Sequence, residues 1–198
     1  EINHFDRKKI MSNHTATHML HESLKQVLGT HIQQSGSLVA ANKLRFDYTH
    51  SNKLNDEEIL KIEEIINNNI LQNIKIEINV TNYEKAIKEG AIGLFGEKYA
   101  NKVRVVSISN FSKELCGGTH VDRTGDIGLF KIISETALSS GVRRIEAITG
   151  LESFNYLSSC YKKIKSIEIL LQSNEKNLID TIKDLKKKNS DMLKINEK

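Results

Sequence analysis

From Asn55 to Val80 the chain reads NDEEILKIEEIINNNILQNIKIEINV, and this stretch decides the fold class. Asn55-Asp56-Glu57-Glu58 is a capping-box pattern: a side-chain acceptor at the cap and a carboxylate three residues on, opening a helix through about Asn73. Directly after it, Ile74, Ile76, Ile78 and Val80 alternate with Lys75, Glu77 and Asn79, the period of a half-buried strand. A change of period from helical to two-residue within one short span predicts helices and strands folded together. Outward from there the pattern repeats. Thr81-Asn82-Tyr83-Glu84 caps a short helix to Glu89. Val103–Ser109, Ile127–Glu135 and Arg143–Thr149 read as three more strands. Upstream, Leu44, Phe46 and Tyr48 alternate with polar neighbours after the turn signals Gly36 and Asn42, and Ser12 or Asn13 can cap a helix running to Leu28 and Gly29. The expected fold is α+β: a mixed or antiparallel sheet with packed helices.

From Leu151 the character changes. No glycine follows Gly150, and eight of the eleven positions 157, 161, 164, 168, 171, 175, 178, 182, 185, 189 and 192 are apolar or Tyr in a 4-3 spacing. This predicts two parts, a domain over residues 1–150 and one long coiled-coil-like helix over 151–198. Such a helix of about 45 residues would extend about 68 Å, so it needs a partner helix or a further region to pack on. The alternative is a frayed, solvated Lys-rich tail.

The 198 residues are 38% apolar and 27% charged, without proline or tryptophan. Average usage would supply about ten prolines, so collagenous, mucin-like and proline-rich linker classes are excluded. No apolar run approaches the roughly 20 residues of a membrane span, and Glu1-Ile2-Asn3-His4 has no secretory signature. The chain does not begin with Met, so a fragment or processed product is expected. Two cysteines, Cys116 and Cys160, are too few for a disulfide framework, which points to a cytoplasmic protein. The net charge of +4 has a location: residues 161–198 hold ten Lys against six acids, while the rest is balanced.

The chemistry lies in two short segments. His14 and His18, at i and i+4 on one helix, project from one face and can grip one ion, with His21 a rival ligand on nearly the same face. About a hundred residues later, Cys116-Gly117-Gly118-Thr119-His120 offers a thiolate and an imidazole around a tight glycine turn. Thiolate plus imidazoles is the donor mix that suits Zn2+. Residue 15 is Thr15, so the metalloprotease pattern with its adjacent glutamate is excluded. The gap between the pairs is too long for a zinc finger, which points to a catalytic or substrate-binding metal.

At these residues the sequence resembles a known family. Asn13-His14-Thr15-Ala16-Thr17-His18-Met19-Leu20-His21, the run Val27–Val39, Leu44–Tyr48, Glu114–Val121 and Gly141-Val142-Arg143-Arg144-Ile145-Glu146-Ala147-Ile148-Thr149-Gly150 are similar, in collinear order, to the editing domain of bacterial-type alanyl-tRNA synthetases. Free-standing editing proteins and the threonyl-tRNA synthetase editing domain share the ligand pattern.

The resemblance implies hydrolysis of the ester in Ser-tRNA(Ala) and Gly-tRNA(Ala), errors that pocket size alone rejects weakly. It implies one Zn2+ held by His14, His18, Cys116 and His120. Zinc can acidify a water or orient the aminoacyl group, and four protein ligands favour the second role or displacement of one ligand. Gln34 matches a family glutamine in the substrate pocket. Thr15 stands beside the ligands and can bond substrate. Gly117 and Gly118 allow close approach of the terminal adenosine, with amides that can face an oxyanion. Asp47 and Glu114 are candidates to orient a ligand imidazole, with ordinary surface acid the favoured reading of Glu114. Arg45, Arg143 and Arg144 are the candidates for tRNA phosphate contacts. No nucleotide-binding motif is visible, so ATP-dependent charging is not expected of these residues. Two other readings stay open: a free-standing deacylase, and a non-catalytic zinc-stabilised module binding RNA or a helix partner.

Overall fold

The computed structural model describes residues 3–93 and 99–196. The capping box at Asn55 forms as read. Its side chain accepts the Glu58 N–H, the Glu58 carboxylate accepts the Asn55 N–H, and helix α2 follows over Asp56–Leu71. The first helix, α1, is His4–Leu28, followed by strands β1 (Gln34–Val39) and β2 (Leu44–Thr49). After α2 come β3 (Ile76–Asn82), the short helix α3 (Tyr83–Lys88), β4 (Lys102–Ile108) and β5 (Ser112–Leu115). A 3-10 turn at Thr124–Ile127 leads to β6 (Phe130–Ser139), β7 (Val142–Thr149), α4 (Gly150–Leu170) and α5 (Leu178–Asn196).

The fold is α+β, with two antiparallel sheets ordered β1-β2-β7-β6 and β3-β4-β5. No described helix is long and apolar enough to cross a membrane. The core forms where α1 and α2 lie on the four-stranded sheet. Ala16, Met19, Leu20 and Leu24 of α1 meet Ile62 and Ile66 of α2, Phe46 and Tyr48 of β2, and Ile145 and Ala147 of β7, all fully buried. Each such large apolar side chain contributes about 1.5–3 kcal/mol on burial.

Three expectations are corrected. Helix α1 begins at His4 with Asn3 as its cap, not at Ser12 or Asn13. Those cap-type residues point inward instead. Asn13 donates to the Ala40 carbonyl at 2.7 Å and accepts from the Thr149 hydroxyl at 2.8 Å, tying the helix to the β1–β2 hairpin and the end of β7. Gly36, read as a turn signal, lies within strand β1, which pairs with β2 across an irregularity at Gln34/Gly36.

The single long helix after Leu151 is two helices. Gln172 adopts φ 48° and the Asn174 side chain accepts the Asn177 N–H at 3.1 Å, a turn that restarts the helix as α5. By compactness the chain divides into Glu1–Phe154 and Asn155–Lys198. In the second unit the 4-3 stripe is mostly bare: Leu157, Tyr161, Ile164, Ile182, Leu185 and Met192 are all exposed. No coiled coil forms among the described residues, and residues 197–198 of the expected helix lie outside them.

Candidate metal centre

The middle of α1 is a helix whose inward face carries polar side chains. Thr15, Thr17, His18 and His21 are all buried, which tertiary bonds must offset. Thr17 returns its hydroxyl to the Asn13 carbonyl at 2.8 Å. His14 and His18 face the loop after β5. There Cys116 and His120 complete a group whose four ligating atoms lie within 4.8 Å of one another. Cys116 Sγ is 3.4 Å from His14 Nε2 and 3.3 Å from His120 Nε2.

The loop can come this close only because residue 118 is glycine. A Cβ there would sit 2.1 Å from the His14 ring, whereas one at Gly117 would meet open space. Arg104 of β4 holds the loop from behind. Its guanidinium donates to the carbonyls of Cys116 at 2.8 Å and Gly118 at 2.6 Å, and its own carbonyl accepts the Cys116 N–H at 3.0 Å.

Two groups orient the imidazoles from outside. Glu114 on β5 is buried, held by pairing with Val106 on one side and a bridge to Ile92 on the other. One of its oxygens bonds His18 Nδ1; the other lies 3.0 Å from His21 Nδ1. The Thr15 hydroxyl donates to the Met11 carbonyl at 3.0 Å and accepts the Val121 N–H at 3.2 Å, and it lies 3.2 Å from His120 Nδ1. Its single proton is already spent, so His120 Nδ1 is the donor and Nε2 keeps its lone pair toward the cluster. Likewise His18 Nδ1 donates to Glu114, which leaves Nε2 buried without a partner. That orphaned nitrogen is one a metal would satisfy.

The electrostatics point the same way. Burial alone would raise the Cys116 thiol, yet the surrounding His120, His14 and His18 imidazoles outweigh it and bring the pKa to about 3. Burial alone would lower His18, but the Glu114 carboxylate outweighs it and raises the pKa to about 10. Glu114, which burial would raise, is held well below the usual carboxylate range by His18. A buried carboxylate and a partly buried thiolate beside three imidazoles favour a cation, and the donor set fits a metal ion.

Beside the cluster is a cleft of ≈ 220 Å³ whose walls include His21, Lys25, Ile32, Gln34, Glu114 and Leu115. None of the four ligand residues lines it; Glu114 serves both. Gln34 stands at the cleft, its amide donating to Ser37 Oγ at 3.1 Å. The Gly118 N–H points back to Cys116 Sγ at 3.4 Å, which engages one of the two amides considered for an oxyanion. The arginines are not brought to the cluster. Arg143 pairs two-fold with the Glu135 carboxylate and is buried. Arg144 pairs two-fold with Asp47 at 2.7 and 2.9 Å, and Arg45 lies 3.7 Å from the same carboxylate. Asp47 therefore orients arginines rather than a ligand imidazole.

Glu114 corrects the reading of it as surface acid, and Arg104 was not singled out at all. The available signal was strand alternation, which puts Glu114 and Cys116 on one side of β5 and its continuation.

A family model described as threonyl and alanyl tRNA synthetase second additional domain matches residues 103–146. The chain is 50% identical over 185 residues to an alanine–tRNA ligase of Fervidobacterium nodosum, covering 93% of this chain and 21% of that protein. A second, from Pseudothermotoga lettingae, is 50% identical over 192 residues (96% and 22%), and one from Coxiella burnetii is 48% identical over 178 (90% and 20%). The chain spans about a fifth of the length of these relatives. Residues 103–146 thus match the second additional domain of the threonyl and alanyl tRNA synthetases, within a chain that is similar along 93% of its length to about a fifth of an alanine–tRNA ligase.

Proposed function

We propose that residues 1–150 form an aminoacyl-tRNA deacylase, hydrolysing the ester of Ser-tRNA(Ala) and Gly-tRNA(Ala) with one Zn2+ held by His14, His18, Cys116 and His120. The observation that carries this reading is the convergence of four ligating atoms from segments 102 residues apart, beside a cleft that contains Gln34. The fold has an extensive apolar core of its own, which supports a metal that serves a ligand rather than folding.

When bound, zinc supplies positive charge that orients the aminoacyl group or acidifies a water. The chain's own residues prepare that place. Glu114 and Thr15 fix the two buried imidazoles with their Nε2 lone pairs inward. Arg104 fixes the loop carbonyls and with them the backbone that carries the Cys116 thiolate. Gln34 presents an amide to the cleft for the amino-acid moiety, and the open side of Gly117 admits the terminal adenosine. Of the arginines, Arg45 and Arg144 keep about three-tenths of their side chains exposed and are the candidates for tRNA phosphate. Arg143 is committed to Glu135. By the same reading the whole protein is a cytoplasmic ligase that joins alanine to tRNA(Ala) with ATP through other residues, and the bare face of 155–198 docks a helix.

A second reading keeps the metal but not the catalysis, because four protein ligands are also the mark of structural zinc. The decisive experiment follows hydrolysis of Ser-tRNA(Ala), Gly-tRNA(Ala) and Ala-tRNA(Ala) by the zinc-loaded chain, the chelated chain and Cys116→Ala. Editing predicts preference for the seryl and glycyl esters, loss with chelator, and a folded, inactive Cys116→Ala. Equal hydrolysis of the alanyl ester, or unfolding of Cys116→Ala, overturns it.

A further inference from the structure

Two buried ring nitrogens on α1 have no partner among the described residues: His18 Nε2 and His21 Nε2. Their settings are alike. Each imidazole uses Nδ1 on a different oxygen of the same Glu114 carboxylate, which can only accept, so each Nδ1 is the donor. Buried polar atoms left in this state are the ones that find a partner in a bound ion, a water or a ligand. For His18 the partner is the metal, since its ring belongs to the four-ligand group. His21 does not belong to it. Its ring packs against Phe46 at 5.4 Å and is 5% exposed, yet the residue lines the cleft. Because His21 is part of the cleft wall, a group bound in the cleft is the candidate partner for this nitrogen.

Its chemistry follows from the tautomer. With Nδ1 donating, the neutral ring offers a lone pair at Nε2 and calls for a hydrogen-bond donor. Behind it stands the buried negative charge of Glu114, the one acid among the described residues lining the cleft; Lys25 is the one lysine or arginine among them. A carboxylate-backed imidazole closed to bulk water favours a cationic donor over a neutral one. Seryl and glycyl esters share one such group, the α-ammonium, whereas the hydroxyl belongs to serine alone. We infer that His21 is a substrate-binding residue whose Nε2 accepts a hydrogen bond from the α-ammonium of the aminoacyl ester, in a cleft joined to the metal centre through Glu114. This rests on the deacylase reading above.

The test is a binding comparison on the zinc-loaded chain with two non-hydrolysable adenosine 3′-amides. One carries a seryl group; the other carries its desamino counterpart, 3-hydroxypropanoyl. The wild type should prefer the ammonium-bearing amide by about tenfold or more. His21→Asn keeps a donor toward Glu114 but removes the outer nitrogen, and should bind both amides equally with zinc content unchanged. His21→Gln, which can place an amide oxygen near the Nε2 position, should restore part of the preference. A preference that survives in His21→Asn, or is absent in the wild type, overturns the inference. So does loss of zinc in both variants, which would make His21 a support for the metal centre alone. Hydrolysis of Ser-tRNA(Ala) by the wild type separates the two failures. If it proceeds while the ammonium preference is missing, only the role of His21 falls; if it is absent, the deacylase reading falls first.

Discussion

Helices α1 and α5 run 25 and 19 residues, and their contrast is instructive. The sequence of α5 has the cleaner apolar stripe, yet Ile179, Ile182, Leu185, Met192 and Leu193 are all exposed, and among the described side chains only Leu178 is buried. Helix α1 looks less amphipathic because Ser12, Asn13, Thr15, Thr17, His18 and His21 share its inward side with Met19, Leu20 and Leu24, and all of them are buried. Apolar periodicity measures what a helix offers to a partner. Polar residues on the inward side show what it has been given to hold. A site-forming helix therefore reads worse than a docking helix, and the muddle is the information.

This contrast can be broken at several points. The largest effect is expected in the core under α1: Phe46→Ala, at a fully buried ring, should cost about 3–5 kcal/mol in chemical denaturation. Next comes the close approach of loop and helix. Gly118→Ala should weaken metal binding by about 10–100-fold, while Gly117→Ala stays near wild type, as read by competition with a chelator. Equal effects at both glycines would refute the packing against His14.

A pH series sharpens the electrostatic side. In the ion-free cluster His18 keeps its proton up to about 10, with Nδ1 facing Glu114, so the proton competes with the metal for Nε2. Lower pH favours the protonated ring, and metal affinity should therefore rise with pH, about tenfold per unit for one displaced proton. Affinity that stays flat from pH 6 to 8 would contradict that competition. The smallest effect is expected in the second unit, where Leu185→Ala should shift stability by less than about 0.5 kcal/mol. A loss comparable to that at Phe46 would mean that the stripe of α5 is packed in solution.

Much of the fold was legible because local signals and tertiary demands agreed. Between Asn55 and Val80 the capping box, the helix and the alternating strand each follow from side chains acting on their own backbone. Ile78 and Val80 stay exposed there, so the period named the strand without naming what covers it. Where cap-type residues serve distant partners the reading slipped. Asn13 is spent on Ala40 and Thr149, and a local rule moved the helix cap nine or ten residues too late, to Ser12 or Asn13 instead of Asn3. Strand β5 was missed because Ser-Lys-Glu-Leu carries a buried acid, and an acid is buried only when partners far along the chain make it worthwhile. The four ligands were legible as residue types at spacings. Glu114, Thr15 and Arg104, which aim them, act through bonds across 12 to 105 residues that no spacing announces.

The link between His14 and Cys116 has a further meaning for the chain as a polymer. A metal there is a removable staple that closes a loop of 102 residues, joining the first helix to the end of the three-stranded sheet. Free metal at a hundred times its dissociation constant would add about 2.7 kcal/mol to the native state. Thermal stability then becomes a gauge of how full the centre is, readable in the absence of any RNA.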